Sequence, residues 1–286
     1  ADAWEAFTEA DGPWDKAVAK RLIDNVFSVG NTVDPFRLME KHGADVLRWY
    51  LLAVSPPWLP TRFDEEGVIE VSRKFFGTLT NTYSFFAMYA NIDQFEYAVE
   101  KRIPPAERAE IDRWILSELN SLTSQVNEFL QNYDLTKAVR AIADFTVDDL
   151  SNWYVRRCRR RFWKSEMGLD KLAAFQTLHE CLSIICRLAA PVAPFLSEAI
   201  YRNLKQDQNH NPNSVHLTSY PCSQDTLLDF VDENLIKRMN LVRRIVELGR
   251  SIRNDVGIRV RQPLQTLYIK VTDEQWPQLL NGMENL

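Results

Sequence analysis

The sequence predicts a mainly α protein, an antiparallel helical bundle followed by a small, incomplete α/β part. Three observations predict it. Between residues 106 and 205 apolar residues recur at spacings of three and four, the period of one helix face. Proline, glycine and Asn-Pro steps interrupt the periodic runs often enough to fold them back on one another. After Gly257 the period changes to two, which reads as strand.

Residues 1–29 hold one amphipathic helix candidate, capped at Asp11-Gly12, opened by Pro13 and striped by Trp14, Val18, Leu22 and Val26. They carry no recognisable chemistry and remain unassigned. Gly30-Asn31-Thr32-Val33-Asp34-Pro35 reads as a turn into a helix that breaks at His42-Gly43, restarts at Asp45 and stops at Ser55-Pro56-Pro57-Trp58. Asp34 and Asp45 stand where helix N-caps belong. From Glu65 to Tyr89 the pattern is helical, with Val68, Val71, Phe75, Leu79 and Phe86 inward. The proline-ended stretch Asn91 to Pro105 is the candidate boundary that closes a 30–105 unit.

The bundle is expected over 106–213. Ile111, Ile115, Leu119, Leu122, Val126 and Leu130 mark one face, then Ala138, Ile142, Phe145 and Leu150, then Leu172, Phe175, Leu178, Leu182, Ile185 and Leu188. Pro191 and Pro194 precede a short further helix through Ile200 and Tyr201. The remaining unit, 214–286, holds a helix from Asn234 to Asp255, with an inward face from Leu235 and Met239 to Leu248 and Ile252. Two strand candidates follow, at Ile258–Arg261 and Leu267–Val271, separated by Pro263.

The chain has 286 residues, 45% hydrophobic and 26% charged, which is ordinary for a globular protein. Its net charge of −5 excludes a histone-like coat of positive charge, so any anion must be bound at a local basic patch. Cys158, Cys181, Cys186 and Cys222 show no Cys-x-x-Cys spacing, and the four histidines show no pairing suited to zinc; reduced thiols and a cytoplasmic setting are the expectation. No apolar run approaches the ~18 residues of a membrane span, so no membrane partner is expected. No signal sequence opens the chain, and a first residue of Ala1 suggests a processed or excised piece.

The stretch with most chemistry is Asp148 to Lys164. Five arginines and a lysine lie within nine residues, with Trp153 and Tyr154 before them and Phe162 and Trp163 beside them. Read as one helix, Leu150, Tyr154, Cys158 and Phe162 form an apolar stripe. At about 100° per residue Arg156, Arg159 and Arg160 point away from it, whereas Arg157 and Arg161 fall within its arc. Outward guanidinium groups beside aromatic rings suit a polyanion with exposed bases. The alternative is a solvated helix face over core aromatics. An inward arginine more often pairs with a carboxylate than waits for a ligand, and no such carboxylate is identified. Asp148 and Asp149 read as charge at a helix N-terminus rather than acid–base machinery. His42 reads as a helix-end residue, His179 has no metal geometry, and Arg259 and Arg261 read as a solvated strand face.

Several of these stretches resemble a known family. Gly30 to Pro35 followed by Gly43-Ala44-Asp45-Val46-Leu47-Arg48-Trp49-Tyr50-Leu51-Leu52 resembles the segment just past the Lys-Met-Ser-Lys loop of the class I aminoacyl-tRNA synthetases for isoleucine, leucine and valine. Ser55-Pro56-Pro57-Trp58 and Arg73 to Tyr83 are similar to the isoleucyl-tRNA synthetases. Ile111 to Leu116, Asp149 to Trp163 and Ala193-Pro194-Phe195 resemble that family's helical anticodon-binding domain, and Val260-Arg261-Gln262-Pro263-Leu264 resembles the junction after it in the eukaryote-like branch. The likeness runs in order over about residues 30–271.

The resemblance implies a tRNA(Ile)-binding piece of an isoleucine-tRNA ligase, probed on the anticodon side. Residues 30–105 would follow the catalytic domain, and 214–286 would form a C-terminal junction. The tRNA-contacting candidates are Trp153, Arg156, Arg157, Arg159, Arg160, Arg161, Trp163 and Lys164, with arginines on phosphates and a tryptophan on an unstacked base. The family's full enzyme uses ATP with magnesium; this piece is expected to hold no cofactor or metal and to be monomeric. The chain departs from the family where chemistry is done. His42, His179, His210 and His216 form no His-x-Gly-His element, and Phe27-Ser28-Val29 stands before Gly30 in place of Lys-Met-Ser-Lys. The piece alone is therefore expected to be inactive, with no catalytic residue. A valyl- or leucyl-tRNA synthetase piece, or a helical protein-interaction module, are the alternative readings.

Overall fold

The computed structural model describes residues 33–163, 166–204, 212–222, 225–228 and 230–270. The helix expected at Trp14–Val26, the Gly30–Thr32 half of the first turn and Lys164 lie outside them. Helix starts follow the chemistry of their caps. Asp34 accepts from Phe36 N at 2.9 Å to open α1 (Pro35–His42), and Asp64 accepts from Glu66 N and Gly67 N at 3.1 and 3.3 Å to open α3 (Glu65–Val71). Asp134 and Asp232 do the same for α6 (Leu135–Asp144) and α10 (Glu233–Asp255).

Between α1 and α2 (Ala44–Val54) the chain turns at Gly43, whose φ of 89° suits a residue without Cβ. Asp45 is therefore inside the first turn of α2 and does not cap it. Its buried carboxylate instead accepts from Leu196 N at 2.8 Å, at the start of α9 (Pro194–Leu204), where Ala193 has no side-chain oxygen to offer. His42 ends α1 as expected, with Nε2 3.0 Å from Glu65 Oε1.

The stretch expected as one helix from Glu65 to Tyr89 is α3, a π-helical turn over Ser72–Phe76, and α4 (Gly77–Ile92). Val68, Phe75, Leu79 and Phe86 are buried and Val71 is half-buried. The connection over 93–109 is bonded into the bundle: Tyr97, Arg102 and Arg108 all donate to the fully buried Glu180.

Among the described residues α5 (Glu110–Gln131), a long rod, α8 (Leu169–Ala189) and α9 make the bundle. Helix α5 turns back at Tyr133 (φ 58°) into the rod, which runs unbroken from Leu135 to Trp163. The rod comprises α6, a π-helical stretch over Phe145–Val155, and α7 (Arg156–Trp163). Tyr154 and Arg161, near its far end, bond to Asp112 near the start of α5, so rod and α5 are antiparallel. Helix α8 is the central element; it is buried on nearly all sides, as a helix enclosed by others must be. Its His179 is buried, bonded through Nε2 to Leu204 O at 3.0 Å and stacked on Tyr97. One hydrophobic core runs from Leu38 to Met239 through all these helices.

Two expectations fail in the last part of the chain. Helix α10 buries Leu235, Met239 and Leu241, but Leu248 and Ile252, expected inward, are 56% and 60% exposed, because its distal half runs past the start of α5. No strand occurs among the described residues, so the strands expected from Ile258 onward are not formed over 258–270, which is mostly exposed and has no ladder partner among the described residues; Val271, the end of the second candidate, lies outside them. Alternation of apolar and polar residues marks a half-buried strand only where another strand can satisfy its backbone.

Candidate nucleic-acid interface

The apolar stripe of the basic stretch is as expected: Leu150, Tyr154, Cys158 and Phe162 are all at most 2% exposed. Phe162 packs edge-on against Phe85 and Phe175, at 5.2 and 4.9 Å between ring centres. These contacts fix α7 to the bundle. Burial pushes the Cys158 thiol up to about 12, and burial, then the neighbouring Asp112 carboxylate, raises the Tyr154 phenol well above its ordinary value.

Asp148 and Asp149 are not at a helix N-terminus but inside the π-helical stretch, where each backbone bond spans five residues instead of four. Phe145, Leu150 and Val155, five apart, are buried on one side of it. More residues per turn means less rotation per residue, so everything after Val155 is rotated from the position that uniform α-helical geometry predicts. Arg157, placed by that geometry in the arc of the stripe, is exposed. With Arg156, Arg159 and Arg160 it makes a ridge of four exposed guanidinium groups, and none has an ion-pair or hydrogen-bond partner among the described residues.

Arg161 has the inward fate expected of an arginine near the stripe. Two parallel bonds of 2.7 Å join its terminal nitrogens to Asp112 Oδ1 and Oδ2, and Nη2 also donates to Asp170 O at 2.8 Å and pairs with Asp170 Oδ1 at 2.9 Å. Tyr154 OH donates to Asp112 Oδ1 at 2.7 Å as well. Burial works against the Arg161 charge, but the bonds to Asp112 outweigh it and its proton is held more tightly than usual. Asp112 is the carboxylate that sequence reasoning left unidentified. Its signal was an acid followed by Trp114 and Ile115 on a face that is otherwise apolar.

The two tryptophans divide. Trp163 is 57% exposed at the end of α7. Trp153 is half-buried, with the Arg243 guanidinium of α10 at 5.6 Å from its ring centre. Arg243 is also 5.8 Å from the Trp114 ring and ion-pairs with Asp149. This assembly was not legible in the sequence, since 94 residues separate Asp149 from Arg243. Burial raises the Asp149 carboxyl, opposed by Arg243; burial and then the Asp149 charge raise Glu118, which accepts from Trp114 Nε1 at 3.0 Å.

A separate cleft of about 1350 Å³ is lined by Tyr97, His179, Ser183, Arg187 and Asp225 among others, and by no residue of α7. Its arginine is already neutralised, by Asp225 at 2.5 Å. What remains open is the α7 ridge: fixed, unpaired positive charge with one exposed indole at its end.

Comparison with known proteins shows which family the chain is similar to. The family described as the anticodon-binding domain of tRNA ligase matches residues 112–268, which include the ridge and α10. The isoleucine-tRNA ligase of Cytophaga hutchinsonii is 48% identical over 90% of this chain, which spans 23% of that protein. Those of Bacteroides thetaiotaomicron and Clostridium novyi are 48% and 46% identical over 86% and 85% of the chain, again matching 21% and 23% of their own lengths. A leucyl enzyme from Agrobacterium radiobacter K84, solved in a ternary complex with tRNA and LeuAMS, superposes with a TM-score of 0.49 at 20% identity, over 73% of this chain and 22% of that one, too distant to support an argument. With residues 112–268, more than half of its length, matched by the domain family, the chain belongs to the anticodon-binding domains of tRNA ligases.

Proposed function

We propose that this chain is the anticodon-side, RNA-gripping portion of an isoleucine-tRNA ligase and that its partner is tRNA(Ile). Arg156, Arg157, Arg159 and Arg160 meet phosphates, and Trp163 offers a stacking platform to an unstacked base. Arg161 and Trp153 support the ridge from behind, since their polar groups and faces are occupied internally. Lys164 extends the same charge in sequence. The observation that carries this reading is four exposed arginines without an internal partner, on a helix anchored by a buried stripe.

The complete ligase, several times longer than this chain, joins isoleucine to its tRNA with ATP and magnesium in a catalytic domain; the residues here position the RNA and bind no cofactor. The setting is the cytoplasm and the chain acts as a monomer. No helix among the described residues is long and apolar enough to cross a membrane.

Filter binding of the 286-residue chain to tRNA(Ile) transcript at two salt concentrations tests the reading. Each phosphate contact on a flexible strand contributes about 0.7 to the slope of log affinity against log salt. Arg156→Glu with Arg160→Glu removes two contacts, so the slope should fall by about 1.4 and the affinity by roughly 25-fold or more at about 0.1 M salt. The thermal midpoint should stay nearly unchanged. Loss of stability with unaltered affinity, or competition by an acidic protein but not by tRNA, would overturn the reading.

A further inference from the structure

Helix α10 outruns the core it is anchored in. Leu235, Met239 and Leu241 are its buried residues, and beyond Leu241 the helix continues to Asp255, a projection of about 20 Å. Its apolar side does not stop where the burial stops. Leu241, Ile245, Leu248, Ile252 and Val256 recur at steps of three and four, so at about 100° per residue they share an arc of about 80°. Leu241 is buried and Ile245 half-buried, whereas Leu248, Ile252 and Val256 are exposed. A helical segment this short is marginal in water unless an apolar face is packed, and a continuous exposed stripe marks a place where something docks.

The chain that leaves α10 is held beside its last turn. It reverses at Gly257, whose φ is 70° and whose N–H donates to Asn254 O at 3.1 Å, and Ile258 N donates to Arg253 O at 2.8 Å. Arg253 clasps the returning chain by donating to Arg259 O and Gln262 O at 3.0 and 2.8 Å. Residues 271–286, which lie outside the described residues, follow directly. Between Gln262 and Trp276 the chain can extend up to about 45 Å, well beyond the ~17 Å of helix from Ile245 to Val256. Charge favours the encounter. From Arg243 to Lys270 there are seven bases and two acids, whereas residues 271–286 hold three acids, Asp273, Glu274 and Glu284, and no base. Trp276, Leu279, Leu280 and Met283 have the spacing of one helix face, an apolar surface suited to the stripe.

We propose that residues 271–286 of this chain dock on the exposed face of α10 formed by Leu248, Ile252 and Val256. The inference is independent of the RNA-binding reading above. Tethering favours this occupant over a second copy of the chain. An attached segment acts at an effective concentration near the millimolar range, and pairing two copies through this face would bring two basic helix ends together.

Hydrogen exchange of the α10 backbone tests it, with the 286-residue chain compared with a chain shortened to end at Lys270. Amides from Ile245 to Val256 should exchange at least about tenfold faster in the shortened chain, while those from Leu235 to Leu241 keep the parental rate. Ile252→Asp and, separately, Trp276→Asp in the 286-residue chain should each reproduce that loss of protection. A peptide of residues 271–286 added to the shortened chain should restore it. Equal exchange over Ile245–Val256 in the full and shortened chains refutes the docking. Protection that rises with protein concentration in both chains, with a doubled mass in sedimentation, assigns the face to a second copy and overturns the proposal.

Discussion

Arg161→Met separates the structural arginine of the basic stretch from its neighbours. The Arg161 side chain is 12% exposed and Asp112 is 0% exposed, so the substitution leaves a buried carboxylate with only the Tyr154 hydroxyl as its partner. Removing one member of a buried ion pair costs ~3–5 kcal/mol. Methionine refills much of the arginine stem, and the freed acid can take up a proton, so the lower end, about 3 kcal/mol, is expected. Against a total stability of about 5–15 kcal/mol the variant should still fold. Urea titration monitored by tryptophan fluorescence reads the loss, and tRNA affinity is measured well below the transition. Asp112→Leu added to Arg161→Met should recover part of the stability, because no charge is then left buried. Arg160→Met, one residue earlier and exposed, should show the inverse pattern, with stability within about 0.5 kcal/mol and affinity reduced. If Arg161→Met behaves like Arg160→Met in both assays, the assignment of Arg161 to the interior is wrong.

Three further outcomes follow from the same geometry. Glu118 is raised above its ordinary 4.5 by burial and then by Asp149, so its ionisation in the folded protein is disfavoured: the stability it contributes is present below pH 4.5 and is lost as pH rises through the raised value. Glu118→Gln, which keeps an acceptor for Trp114, should therefore gain stability relative to the parent as pH rises from about 4 to 7 in urea titrations, and a constant difference would contradict this. Native protein should react with a thiol reagent at Cys222 alone, since Cys158, Cys181 and Cys186 are buried; all four of the chain's cysteines should react after denaturation. Asp45→Ala should cost about 1–2 kcal/mol in chemical denaturation by uncapping α9 at Leu196 N, and a neutral effect would remove that role.

What the sequence alone determined was whatever depends on local periodicity and local caps. Each helix of the bundle is visible in the spacing of its apolar residues, and Asp34 caps the helix it precedes, because these interactions close within one or two turns. The apolar stripe from Leu150 to Phe162 was legible for the same reason. Even the π-helical stretch left a trace, the five-residue step from Phe145 to Leu150, although a uniform helical period misread its effect and placed Arg157 inward.

Tertiary structure decided which charges are spent and which are free. Asp112 neutralises Arg161 across 49 residues, Asp149 claims Arg243 across 94, and Asp45 caps a helix that starts almost 150 residues later. No spacing rule reaches that far, since a long-range partner is set by which helix packs where. Among the described residues it likewise gives 258–270 no neighbouring strand of the kind their alternation required. Ionic chemistry acts between side chains brought together by packing, so a run of arginines names a possible surface and only the fold says which of them remain on it.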